Sequence, residues 1–205
     1  MMSRNETDTR SAQAGCVVWF TGLSGAGKTT LATALETALS GRGLRIFQLD
    51  GDIMRQGLCR DLGFAASDRD ENIRRVAEVA KLFADCGVLC ICAFISPFRS
   101  MREKAREIIG THRFIEVHVS TTLETCEKRD AKGLYEKARA GDLPDFTGVS
   151  SPYEAPERPD VEIDTTTVTL RHGLANLLGV LEERGLIPAS SSETDTRSTS
   201  CEIHC

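Results

Sequence analysis

Three glycines, the outer two five positions apart, then a lysine and a hydroxyl, mark the stretch Gly22-Leu23-Ser24-Gly25-Ala26-Gly27-Lys28-Thr29. Such glycines permit a tight turn whose backbone N–H groups point inward, and a helix starting there adds roughly half a positive charge at its N-terminus. A phosphate chain fits that concavity: Lys28 would reach the β- and γ-phosphates, the Thr29 hydroxyl would face Mg²⁺, and Thr30 adjoins them. The context suits the pattern, with an apolar run (Cys16 to Thr21) before it and an amphipathic run (Lys28 to Leu39) after it. The competing reading is a glycine-rich turn that binds nothing. The cradle names a nucleoside triphosphate as donor and leaves the acceptor open, and the sequence has no NKxD segment of the guanine-reading kind.

A second set of residues could serve the acceptor. Leu49-Asp50-Gly51-Asp52-Ile53-Met54-Arg55 places two carboxylates and an arginine after a strand-like run. A carboxylate there could organise Mg²⁺ or take the proton of an attacking hydroxyl, and an arginine could hold an anion. An acidic helix N-terminus stabilised by the dipole explains the same residues equally well. Further on stand Gly63-Phe64, Asp68-Arg69-Asp70-Glu71-Asn72-Ile73-Arg74-Arg75, Phe94-Ile95-Ser96-Pro97, Arg129-Asp130-Ala131-Lys132-Gly133-Leu134-Tyr135, Phe146-Thr147-Gly148 and Pro152-Tyr153-Glu154-Ala155-Pro156. Singly, each has a bland explanation: a solvated helix start, a strand-end cap, ordinary surface charge.

The elements that must position these residues alternate along the chain. Cys16 to Thr21, Arg45 to Leu49, Val88 to Phe94 and Phe114 to Val119 read as strands, and the all-apolar Val88 to Phe94 suits a central strand covered on both faces. Helices are expected over Lys28 to Leu39, Ser67 to Asp85 and Arg99 to Ile109, and again where Leu170, Leu174, Leu177, Leu178 and Leu181 recur. Alternation of this kind implies an α/β class fold, a mostly parallel sheet wrapped by helices, with ligands at the carboxyl ends of its strands. The stretch 129–159 breaks the rhythm with Gly, Pro, Asp and charged residues and reads as a lid or substrate loop.

The chain's 205 residues suit one domain, placed at 15–188 between polar ends, 1–14 and 189–205, that read as disordered. A net charge of −5 offers nucleic acid no general attraction. No apolar run approaches the ~20 residues of a membrane span, and the N-terminal stretch lacks the apolar core of a signal peptide, so a cytoplasmic location is expected. Eight cysteines then read as reduced thiols. Cys90 and Cys92 would share one face of a strand in the core, and a metal at Cys201, His204 and Cys205 would need ligands from elsewhere.

In this order and spacing, from about Val17 to Asp164, the motifs closely resemble those of the adenylyl-sulfate kinase family. The resemblance implies a P-loop kinase fold with a mobile lid, and phosphorylation by MgATP of the 3′-hydroxyl of adenosine 5′-phosphosulfate. It places Asp50 and Asp52 in the family's DGD motif, with Asp52 as metal organiser or base. It gives Arg55, Arg69 and Asn72 to the phosphosulfate and ribose, and Phe64 and Phe146 to a sandwich around the adenine. Ile95 and Ser96 line the substrate, Lys132 contacts substrate or the transferring phosphoryl group, and Arg129 lies on the ATP adenine. Ser96 matches a serine the family associates with a phosphoserine intermediate. In-line transfer needs only positioning and charge stabilisation, so a substrate-orienting hydrogen bond is an equal reading. The chain departs from the family at Ile53 and Cys59, each usually Asn, and at Ala131, usually Pro. The resemblance leaves room for a homodimer and for a functional link to an ATP sulfurylase. Two other functions stay open: a weakly active nucleotide-binding subunit docked on a sulfurylase, and a kinase for a nucleoside or sugar acid.

Overall fold

A computed structural model describes residues 13–189. The first strand, β1 (Cys16–Thr21), is buried along its whole length, as its uncharged sequence requires. Helix α1 (Lys28–Ser40) follows the glycine-rich turn and buries Leu31, Ala32, Leu35 and Leu39, the face set by three-and-four spacing. Then come β2 (Ile46–Asp50), the short α2 (Gly51–Gln56) and the long α3 (Ala66–Asp85), followed by β3 (Leu89–Ala93), α4 (Arg99–Ile109) and β4 (Phe114–Val119). Helices α5 (Leu123–Arg129) and α6 (Leu134–Ala140), strand β5 (Val161–Ile163) and helix α7 (Leu170–Glu183) complete the order.

The strands form one sheet in the order β2-β3-β1-β4-β5, and all four pairings are parallel. The period of two along β1 explains why it tolerates no polar residue at its centre. Cys16, Val18 and Phe20 face a core shared with α1 and α7, through Leu35, Leu177 and Leu181. Val17 and Trp19 face the opposite core, shared with α3 and α4, through Val76, Ala80, Met101 and Ala105. Each fully buried aliphatic or aromatic side chain contributes about 1.5–3 kcal/mol, so a polar residue on either face would be costly. Cys90 and Cys92 lie in the second core with their sulfurs 3.8 Å apart, packed as expected.

β1 is the central strand, and β3, covered on both faces, lies between it and β2. Three short elements were not foreseen: α5, α6 and β5 are seven, seven and three residues long, too short for a period to register. Within 129–159 the regular structure is chiefly the short helix α6, and its Tyr135 is buried in the main core. Ahead of β1, the Gln13 amide pairs with both backbone groups of Arg45, each at 2.8 Å. The terminal cysteines and His204 lie outside the described residues. No helix among the described residues is long and apolar enough to cross a membrane.

Parallel strands leave every carboxyl end on one edge. The register aligns Asp50 with Ala93 and Ala93 with Phe20, so the residues that follow β2, β3 and β1 emerge side by side. The candidate site residues are built on that edge.

Candidate active site

The turn after β1 has left-handed backbone at Gly25 and Gly27 (φ 74° and 106°). Gly22 is fixed sterically as well, because a Cβ there would stand 2.6 Å from the Val119 carbonyl oxygen. The loop is braced from outside. The Ala26 carbonyl accepts from the hydroxyls of Thr121 (2.9 Å) and Thr165 (3.1 Å), and the Ser24 carbonyl accepts from Tyr135 Oη (2.9 Å). Lys28 turns back over the loop, its Nζ donating to the carbonyls of Gly22 (2.9 Å) and Leu23 (2.8 Å), and burial pushes its pKa down to about 8. A charge held at this desolvated spot interacts strongly with any anion that enters. Thr30, next to Thr29, lies exposed on the wall of an open cleft between α1 and Leu170.

Asp50 ends β2 and caps α2, accepting from the Asp52 backbone N–H at 2.9 Å. Its other oxygen accepts from the Thr29 hydroxyl at 3.3 Å. The two readings of this acidic turn are therefore both realised: Asp50 is a helix cap and also reaches the phosphate loop. Asp52, in the first turn of α2, pairs with Lys132 of the 129–159 segment. Lys132 is presented by a turn that Asp130 builds, accepting from the backbone N–H groups of Leu134 (2.8 Å), Tyr135 (3.1 Å) and Glu136 (3.0 Å). Burial pushes the Asp130 carboxyl up, and those three bonds outweigh it, leaving the group below the usual range.

These groups suit Mg²⁺ by type. A hydroxyl and two carboxylates are hard oxygen donors, and no cluster of three or more His, Cys, Asp or Glu exists among the described residues. Mg²⁺ characteristically takes one or two carboxylates and completes its shell with water and substrate phosphate.

Across the carboxylates lies the second group. Arg55 donates to the carbonyl of Gly63 (2.9 Å), and its guanidinium sits 4.3 Å from the centroid of the Phe64 ring. Phe64 is otherwise free, 61% exposed. Arg69 binds the Phe64 carbonyl (2.7 Å), the Asp145 carbonyl and the Thr147 hydroxyl, and so joins the two loops that carry Phe64 and Phe146. Burial, then the nearby Arg55 charge, lower the pKa of Arg69. Phe146 meets Tyr135 edge-on, with centroids 5.1 Å apart, and packs on the main core. Asn72 is buried, and its side-chain oxygen has no protein partner.

Two predicted residues are tied down differently from the rest. Arg129 is fastened to Thr165 Oγ1 (2.8 Å) and to the Gly25 carbonyl (3.3 Å). Ser96 is buried, and its hydroxyl accepts from the Trp19 indole N–H at 3.1 Å. No carboxylate or imidazole is among its hydrogen-bond partners. Ile95, half-buried beside it, is held through its carbonyl by the Thr21 hydroxyl (2.7 Å).

Residue reasoning passed over the supports: Thr21, Thr121, Asp130, Tyr135, Tyr153 and Thr165. Asp130, Tyr135 and Tyr153 fall inside the quoted motifs, and the placing of both of the chain's tyrosines there was the available signal. The threonines carried none, since their role depends on which strand ends become neighbours.

A parallel sheet with a phosphate loop after its central strand, two carboxylates at the next strand end and a cationic acceptor side define a P-loop phosphotransferase. Residues 14–164 match the family described as adenylylsulphate kinase, and the chain belongs to that family. An adenylyl-sulfate kinase from Shewanella amazonensis is 54% identical over 188 residues, 92% of this chain and 95% of that one. The Mycobacterium tuberculosis APS kinase CysC, solved with AMPPNP and APS, has a TM-score of 0.80 and 44% identity, covering 82% of this chain and 98% of that one. A hexameric APS kinase from Thiobacillus denitrificans has a TM-score of 0.65 and 35% identity, covering 86% of this chain and 30% of that one.

Proposed function

We propose that the chain transfers the γ-phosphoryl group of ATP to the 3′-hydroxyl of adenosine 5′-phosphosulfate, giving 3′-phosphoadenosine 5′-phosphosulfate and ADP. The observation that carries this reading is the position of Asp50 and Asp52. One carboxylate touches Thr29 of the phosphate loop, and the other, two residues on, holds Lys132 of the lid. Donor and acceptor halves meet there.

In this reading the loop from Gly22 to Thr29 holds the triphosphate, and Lys28 leaves its two carbonyls to bind the β- and γ-oxygens. Thr29, Asp50 and Asp52 would hold Mg²⁺, which supplies neutralisation of phosphate charge. Asp52 also stands ready to take the proton of the attacking hydroxyl, and Lys132 exchanges Asp52 for the transferring phosphoryl oxygens. Arg55 and Arg69 face each other closely enough to depress the Arg69 pKa, and the phosphosulfate relieves that repulsion. The free face of Phe64 and the ring of Phe146 take the adenine, whose flat π-system suits aromatic stacking. A ribose hydroxyl donates to the unpartnered oxygen of Asn72. Ser96, buried under an indole and lacking a base, orients substrate rather than carrying phosphate. The working domain is 15–188, acts in the cytoplasm, and self-associates, which sedimentation velocity would reveal.

The test is a coupled ADP assay with MgATP and adenosine 5′-phosphosulfate, adenosine or gluconate, using Lys28→Ala as the blank. Turnover on the first alone is expected. Preference for adenosine or gluconate would overturn the acceptor, and no turnover above the blank would overturn the reaction. Turnover by the isolated chain also separates this reading from a docking subunit of a sulfurylase.

A further inference from the structure

Beneath the acceptor side runs a chain of buried charge that the reaction does not use directly. Arg102, on α4, is 3% exposed. Its Nε donates to Glu116 Oε1 at 2.7 Å, so its charge is balanced inside the protein. Glu116 is anchored in turn by Arg106 (3.4 Å), and its backbone N–H donates to Asp160 at 2.7 Å. The other two arms of the fork point elsewhere. Nη1 donates to the Ser96 carbonyl and Nη2 to the Glu154 carbonyl, each at 2.7 Å.

Those carbonyls belong to the two segments that must agree for the acceptor to be held. Ser96 follows β3 and has left-handed backbone, φ 38°, one of two non-glycine residues so placed among those described. A serine adopts that conformation only when its surroundings enforce it. Glu154 lies on the limb returning from the lid, eight residues after Phe146, and its N–H donates to the Pro97 carbonyl at 2.8 Å. Tyr153, on the same limb, hydrogen-bonds Thr21 at 3.0 Å, and Thr21 holds the Ile95 carbonyl. One buried guanidinium therefore pins the strand-end turn and the lid's return limb to each other.

From this geometry we propose that Arg102 is a positioning residue for the acceptor: it enforces the Ser96 turn and locks it to the Tyr153–Glu154 limb, setting the substrate floor relative to the lid. The inference rests on the acceptor assignment above. It assigns no donor-side role to Arg102, because none of its hydrogen bonds reaches the 22–29 loop. A lysine in its place keeps the charge beside Glu116 but cannot span both carbonyls, since it lacks the planar fork.

Trp19, the only tryptophan in the chain, donates to Ser96 Oγ and reports on that turn directly. The experiment compares full-length wild type, Arg102→Lys and Arg102→Met in steady-state kinetics, thermal melting and tryptophan emission. Arg102→Lys is expected to raise KM for adenosine 5′-phosphosulfate about tenfold, the loss of one charge-assisted hydrogen bond. KM for ATP should stay within about twofold, since the donor loop is untouched. Trp19 emission should change without any ligand. Should Arg102→Met fail to fold, Arg102→Lys decides alone. An unchanged KM for the acceptor, or parallel rises in both KM values, would refute the positioning role. A wild type that turns over only adenosine or gluconate would remove the acceptor assignment, a separate result.

Discussion

The donor and acceptor halves of the proposed site are built in opposite ways. The donor half is one unbroken stretch of eight residues, braced by Thr121, Thr165 and Tyr135 from three other segments. The acceptor half is gathered from α2, the loop before α3, α3 itself, the end of β3 and the lid. Its principal ring, Phe64, touches little besides one guanidinium. In the proposed assignment phosphate binding is thus part of the framework, whereas acceptor recognition hangs on a few side chains that clamp loops. Substitutions should divide the same way, with donor changes erasing the reaction and acceptor changes grading it.

The largest effect is expected at Lys28. Lys28→Ala should lower kcat by about 10²–10³, the loss typical of a preorganised charge at the reacting group. Its hydrogen bonds go only to loop carbonyls, so the melting temperature should hold. A variant retaining a tenth of wild-type turnover in the coupled assay would break the comparison at its stronger side.

The two phenylalanines separate binding from packing within the weaker half. Phe64→Ala should raise KM for adenosine 5′-phosphosulfate by about 5- to 150-fold, the ~1–3 kcal/mol of a lost stacking partner, and leave stability unchanged. Phe146→Ala should raise the same KM and also lower stability by ~1–3 kcal/mol, because that ring packs on Tyr135 and the main core. Denaturant melts beside the kinetics distinguish them. Equal stability losses would mean that Phe64 is not the free ring the structure describes.

The contrast also governs what could be read from the chain alone. The phosphate loop was legible because its spacing and both flanking elements are contiguous, and the strands and long helices because their periods run for a turn or more. Asp52, Arg69 and Phe146 were legible only together, through a family's order of motifs, since each alone is ordinary surface chemistry. Two things were hidden. Short elements such as α5, α6 and β5 give no period. Side chains such as Arg102, on the Glu154 carbonyl, and Thr165, on that of Ala26, act through backbone far along the chain, which no local pattern announces. Arg69 was placed on the acceptor side, but its second task, tying the Phe64 loop to the Phe146 loop, needed the third dimension.

A smaller effect follows from pH. With a pKa near 8 in the empty loop, Lys28 is charged below that value and loses its proton above it, while bound phosphate favours the charged form. ATP affinity should be full below pH 8 and fall above it, approaching about tenfold per unit for one proton. Between pH 8 and the usual lysine range the unfolded chain binds more protons at this position than the folded one. Stability of the ATP-free protein should therefore rise with pH in that window. Titration calorimetry from pH 7 to 9.5 checks the first trend, and Lys28→Arg should flatten it. Affinity that stays level in the wild type would place the lysine's charge outside the phosphate site.

The smallest effect tests whether the halves are joined loosely. Lys132 and Asp52 form the bridge from lid to carboxylates, and their side chains are 64% and 70% exposed. Exposed pairs contribute about 0.2–1 kcal/mol, so a double-mutant cycle with Asp52→Ala and Lys132→Ala should give a stability coupling in that range, falling further in high salt. So weak a tie lets Lys132 leave Asp52 when phosphate arrives. A salt-insensitive coupling of about 2 kcal/mol or more, of the size buried pairs show, would mean that the lid is locked onto the donor half before substrate binds. The two halves would then act as one rigid site.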